Sequence, residues 1–99
     1  MRIAVDAMGG DIGPKATVPG ALRAAVDFDV DILLVGLEGT LRREIDRSGL
    51  EASRVTVIDA PEEIGMGDGL LAFRKKKASS IRVGAQLVKD GRADAFVSM

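Results

Sequence analysis

The chain contains no cysteine, no histidine, no tryptophan and no tyrosine. Without cysteine there is no disulfide framework, no thiolate nucleophile and no thiolate-ligated zinc or iron–sulfur site. Without histidine there is no imidazole base, which excludes Ser-His-Asp and Cys-His catalysis from this chain's own residues. Aromatic residues amount to 3%, all phenylalanine, too few for a base-stacking platform or an interfacial Trp/Tyr belt. Charge of either sign is not in excess: 14 basic against 15 acidic side chains leave a net charge of −1. No global field therefore favours nucleic acid or an anionic membrane. No apolar run approaches the length of a membrane span. The opening Met1-Arg2-Ile3-Ala4-Val5-Asp6 meets an acid too soon for the core of a signal peptide. These features predict a cytoplasmic protein without nucleic acid as a partner.

The content that remains is that of a soluble globular chain: 46% hydrophobic and 29% charged in 99 residues, enough for one domain at most. Its chemistry is limited to carboxylates, Lys and Arg, hydroxyls and backbone N–H groups. Ile3-Ala4-Val5 reads as a short buried strand ending at Asp6 and Gly9-Gly10. Residues 31–36, 54–59 and 93–98 read as three further strands. Near-continuous apolar runs, rather than in/out alternation, point to strands covered on both faces, as in parallel sheets. Between them the period becomes helical. Val18, Ala21, Leu22 and Ala25 share one face behind Pro14, a first-turn residue. Pro19 is incompatible with an undisturbed helix from Pro14, so that helix begins near Val18 or is kinked at Pro19. Leu37, Leu41 and Ile45 line a second helix ended by Gly49. Ser79 or Ser80 caps a third, which carries Ile81, Ala85 and Val88 on one side and stops at Gly91. The expected fold is a three-layer, doubly wound, Rossmann-like α/β unit over residues 1–99, with four mostly parallel strands and crossover helices. The chain stops at Met99, where the fourth strand would deliver its loop, so the front part of a longer protein is expected.

Three segments carry candidate chemistry. In Asp6-Ala7-Met8-Gly9-Gly10-Asp11-Ile12-Gly13-Pro14, adjacent glycines permit a tight turn and close ligand approach, and a helix start offers N–H groups to a phosphate. Met8 stands where a dinucleotide fingerprint has its first glycine. A tight turn in which Asp11 holds loop amides is the alternative. In residues 61–69 the alternating Gly65, Gly67 and Gly69 mark mobility or close backbone approach, with no phosphate-loop Lys following. A plain flexible connection is the better reading of them. In Phe73-Arg74-Lys75-Lys76-Lys77-Ala78-Ser79-Ser80, a run of cations feeds into the expected helix start. That suits one phosphate or an acidic partner, where the alternative is a solvated face. Both this block and the first glycine turn follow strands of one sheet, and so converge at its carboxyl edge.

Val5-Asp6-Ala7-Met8-Gly9-Gly10-Asp11, the block from Arg74 to Val83, and Gly91-Arg92-Ala93-Asp94-Ala95-Phe96-Val97-Ser98 together resemble the phosphate acyltransferase (PlsX) family of bacterial phospholipid synthesis. The resemblance runs along the whole chain in order. It implies transfer of a fatty acyl group from acyl carrier protein to inorganic phosphate, giving acyl phosphate, with no metal or organic cofactor. It also implies a fold similar to phosphate acetyltransferases and isocitrate dehydrogenase-like proteins, a homodimer, peripheral membrane association, and a longer acyltransferase domain of which residues 1–99 are the N-terminal part. Ile12 and Ala78 depart from the family pattern, which has His and Asp there. The site residues then expected are Lys76, Lys77 and Asp6 as catalytic groups. Gly9, Gly10, Asp11, Arg74, Lys75, Ser79 and Ser80 bind phosphate, with Arg74 and Lys75 alternatively meeting the acidic carrier protein. Two other readings stay open: a Rossmann-type nucleotide-binding module, with Glu38 as the nearest acid after the second strand, and a non-catalytic remnant that docks a partner.

Overall fold

A computed structural model describes residues 1–8, 13–60 and 69–98, with 69–78 described by their backbone alone. The elements are β1 (Arg2–Asp6), α1 (Pro14–Asp27), β2 (Asp31–Gly36), α2 (Glu38–Ser48), β3 (Val55–Asp59), α3 (Gly69–Lys89) and β4 (Ala95–Ser98). The strands form one sheet in the order β3-β2-β1-β4. Every pair is parallel, with Ile3 opposite Ile32 and Ala95, and Ile32 opposite Val55.

Alternation along the strands divides the core into two layers. Val5, Ile32, Leu34, Val55 and Val57 point to the face covered by α1 and α2, where they meet Val18, Leu22, Ala25 and Leu41. Ala4, Leu33, Val35, Ile58 and Phe96 point to the other face, where they meet Leu87 and Val83 of α3. Right-handed crossovers require this split: the chain moves outward through β1, β2 and β3, then reverses to reach β4. The expected three-layer parallel fold is the one observed.

Local signals explain most element ends. Gly49 closes α2 in the left-handed conformation, φ 67°, and Leu41 is fully buried on the expected face. α1 begins at Pro14, so a start at Val18 is ruled out, and Pro19 lies inside the helix. Its missing N–H deprives the Lys15 carbonyl of a helical donor, which water can replace because Lys15 is exposed.

α3 corrects the sequence reading in two ways. It begins at Gly69 rather than at the serines, since Leu70, Leu71, Ala72 and the Arg-Lys run are all good helix formers and nothing interrupts them. The face that packs is Ser80, Gly84 and Leu87, whereas Ile81, Ala85 and Val88 are exposed. Gly84 decides this, because the Phe96 ring occupies the space a Cβ there would need. Only the face with that gap can come down on β4.

At the amino edge Arg54 bridges β3 to β2, donating to Asp31 Oδ1 at 3.1 Å and pairing with Asp29. The Arg54 hydrogen bond holds the Asp31 carboxyl below its ordinary value, with burial opposing it in part. A depressed folded-state pKa stabilises the fold above the ordinary carboxylate range, and the stabilisation is lost as pH falls through the folded value. Asp31→Asn is therefore expected to lower the urea midpoint near neutral pH, and the gap to the parent chain should close in acid. A gap that stays constant with pH would show that the ion pair contributes nothing.

Candidate functional site

In an open parallel sheet the strand order decides where a ligand can approach. Connections leave β1 toward β2 but return across the sheet to β4, so they diverge between β1 and β4. The crevice at the carboxyl ends of these two strands is where such sheets bind ligands. Their last residues, Asp6 and Ser98, are register partners. Ser98 Oγ donates to Asp6 Oδ2 at 2.9 Å, and the Met8 N–H donates to Asp6 Oδ1 at 3.0 Å. Asp6 is fully buried, a costly place for a carboxyl group unless its oxygens are satisfied. The two bonds satisfy them and tie the turn leaving β1 to the end of β4.

The same turn is held from below. Met8 lies against Gly36, where a Cβ would meet Met8 Sδ at 2.8 Å, and the Ala7 N–H donates to the Val35 carbonyl at 3.0 Å. Beyond the turn, Gly13 (φ 69°) starts α1, and its carbonyl accepts from the Ala16 and Thr17 N–H groups at 3.1 Å. The first turn of α1 carries no acidic residue and its N-cap makes no side-chain hydrogen bond. The positive end of the helix dipole is therefore uncompensated from within its own first turn, at the carboxyl side of the sheet.

By strand alternation Asp6 shares a face with Ala4, the face that α3 covers. Leu87 of α3 is level with the start of β4, since its carbonyl accepts from the Ala93 N–H at 3.1 Å. At about 1.5 Å rise per residue, the backbone at 76–77 lies some 15–16 Å further along, about the length of a five-residue strand. That puts this part of α3 roughly level with the carboxyl edge.

The expected site residues divide accordingly. Asp6 is buried at the carboxyl end of β1, beside Ser98 of β4. Arg74, Lys75, Lys76 and Lys77 lie on the backbone of α3. Ser79 and Ser80 are buried in mid-helix, so neither caps a helix, and no helix terminus adds its dipole to the basic block there. Ser80 Oγ is buried without a hydrogen-bond partner among the described residues. Gly9, Gly10, Asp11 and the departure at Ile12 lie outside the described residues, as do positions 61–68 of the second glycine segment. Sequence reasoning missed Ser98 as a site residue. Its signal was its place at the end of a strand, but pairing beside Asp6 depends on a strand order that no local pattern encodes.

The fold defines a doubly wound α/β protein with its topological switch point between β1 and β4. A family model described as "Fatty acid synthesis protein" matches residues 1–99. The chain is 50% identical to a phosphate acyltransferase of Akkermansia muciniphila, over 99% of this chain and 29% of that protein. Proteins of the same name from Trichlorobacter lovleyi and Gloeobacter violaceus are 46% and 47% identical, again over 99% of this chain and 29% of theirs. The chain belongs to this family of fatty acid synthesis proteins, that of the curated phosphate acyltransferases, and spans about 29% of the length of those relatives. Among the described residues, no helix is long and apolar enough to cross a membrane.

Proposed function

We propose that this chain is the N-terminal α/β unit of an acyltransferase that moves a fatty acyl group from acyl carrier protein to inorganic phosphate. The match along the whole chain to relatives named phosphate acyltransferase carries the reading. In the reaction a phosphate oxygen attacks the thioester carbonyl carbon; the new C–O bond forms, the C–S bond breaks, and sulfur leaves as a thiolate. Phosphate near neutral pH is already a usable nucleophile, so a chain without His or Cys is not disabled. What it must supply is charge and orientation. Lys76 and Lys77 offer the charge, Gly9 and Gly10 amides and Ser79 and Ser80 hydroxyls the donors, and Asp6 and Asp11 order the turn. Arg74 and Lys75 meet the phosphate or the acidic carrier protein. A homodimer, peripheral association with the membrane from the cytoplasm, and the lack of a metal or organic cofactor belong to the same proposal.

Amide NMR titration of the chain with inorganic phosphate tests the binding half. Saturable shifts confined to residues 9–13 and 74–80 are expected; a dispersed spectrum indifferent to phosphate rejects the pairing of these segments within this chain. The catalytic half needs a joined protein, in which these residues replace the matching part of the Akkermansia muciniphila relative. There Lys76→Ala with Lys77→Ala is expected to lower acyl phosphate formation on the order of 100-fold, the scale of losing preorganised charge. Unchanged turnover would remove both lysines from the mechanism. Ser80→Ala separates structure from binding. Its hydroxyl has no described partner, so thermal stability should hold or rise slightly while the KM for phosphate increases. An unchanged KM would make Ser80 a packing residue only.

A further inference from the structure

The turn that leaves β1 is anchored unequally on its two sides. Toward β2 it has two anchors: the Ala7 N–H donates to the Val35 carbonyl at 3.0 Å, and Met8 fills the space left open at Gly36. Toward β4 there is one among the described residues, and it runs through a side chain. Asp6 Oδ1 accepts from the Met8 N–H at 3.0 Å, and Asp6 Oδ2 accepts from the Ser98 hydroxyl at 2.9 Å. The second bond decides what the first can hold. The χ2 torsion of an aspartate is soft and roughly two-fold, so the backbone of β1 does not by itself fix the plane of the carboxyl group. A hydroxyl on the neighbouring strand does, and the Met8 N–H then has an acceptor of fixed position.

We infer that Ser98 is a positioning residue for the proposed acyl transfer. Acting through Asp6, it fixes where the turn after β1 stands relative to β4, and so where the backbone amides of that turn meet phosphate. The inference rests on the proposed function and adds a residue to it. Direction is what gives the bond its importance. The switch point of the sheet lies between β1 and β4, and ligands of open parallel sheets approach there. A shift of the turn toward or away from β4 therefore alters the space a phosphate would enter, whereas the anchors on β2 restrain it from the other side. No local link replaces the bond, because Asp6 and Ser98 are 92 positions apart. Asp6 is fully buried and Ser98 is bonded to it, so the pair works by holding the turn, and small misplacements of a binding group are amplified into rate.

Ser98→Val and Ser98→Thr form a matched pair, alike in shape and strand preference and different in the hydroxyl. Ser98 is exposed, so the added methyl groups have room. Amide hydrogen exchange of the chain reads the link without any turnover. With valine the Met8 amide is expected to exchange about 10-fold faster relative to that of Leu34 in mid-sheet, and with threonine to return near the parent rate. Equal acceleration of both amides, or a Met8 rate indifferent to the hydroxyl, overturns the inference. In the joined protein, valine should raise the KM for phosphate about 10-fold and leave the KM for the acyl donor within about two-fold, and threonine should recover most of the loss. A lower kcat with both KM values unchanged would mean fewer folded molecules rather than a displaced turn, and overturns it as well. A joined parent that forms no acyl phosphate would reject the proposed function instead. The exchange rates would still decide whether Ser98 holds the turn, so the two fail separately.

Discussion

Gly84→Val is expected to destabilise the chain by about 3 kcal/mol or more, the upper range for forcing bulk into a packed seam. The valine Cβ would stand where the Phe96 ring is. A ring held between β4 and α3 has little freedom to move, because Leu33, Val35 and Leu87 fill the same cluster. A β-branched residue inside a helix adds a smaller cost of its own. Urea denaturation gives the magnitude, and a double-mutant cycle with Phe96→Ala gives the cause. Truncating the ring should restore part of what valine costs, so the two changes must couple strongly. Additive effects would mean that α3 yields elsewhere and that Gly84 is not the contact that sets its height above the sheet. The consequence reaches the crevice, since Phe96 and Ser98 lie two residues apart on one face of β4.

Asp6→Ala is the second large effect, expected at about 3 kcal/mol, the scale of breaking a buried, hydrogen-bonded charged group. The Met8 N–H and the Ser98 hydroxyl would both lose their acceptor, and a small cavity would remain. Asp6→Asn should cost less. Its carbonyl can take one donor, and the Ser98 hydroxyl can rotate to accept from the amide. Ser98→Ala leaves one carboxylate oxygen without its partner and should fall between the two. In the Asp6→Ala background the same change should be nearly silent, because the bond is already gone. Denaturant midpoints of the four chains decide this. A Ser98→Ala cost that persists without Asp6 would show that Ser98 works through some other contact.

Much of this architecture is legible without coordinates, for identifiable reasons. Strand β2 is a continuous apolar run from Ile32 to Val35, which only a doubly covered strand tolerates. Helix α2 carries Leu41 and Ile45 on one stripe, with Leu37 at its N-cap, and ends at a glycine that adopts φ 67°. These are local properties, and local sterics and burial express them directly. Asp6 was legible as a candidate because it opens the Asp-Ala-Met-Gly-Gly-Asp segment that carries the resemblance.

The errors share a cause as well. Ser79 and Ser80 resemble a helix start by residue type, but a cap forms only where the helix has a reason to begin, and the preceding Leu-Leu-Ala-Phe-Arg-Lys segment supplies none. The stripe Ile81, Ala85 and Val88 is apolar yet exposed, because packing selects the face that fits rather than the most hydrophobic one. Gly84 has no side chain to register on any hydrophobic scale, and it is the residue that lets α3 settle against Phe96.

By itself the sequence determined the element types, their alternation and hence a parallel α/β sheet, along with the chemistry excluded by missing cysteine and histidine. The tertiary structure alone decided which strands are neighbours, and so that Ser98 meets Asp6 across 92 positions of chain. It also decided which face of α3 is buried and where apolar surface is left uncovered. Periodicity records how each residue relates to its own element; pairing, packing height and uncovered seams are relations between elements, set by shape and by the handedness of crossovers.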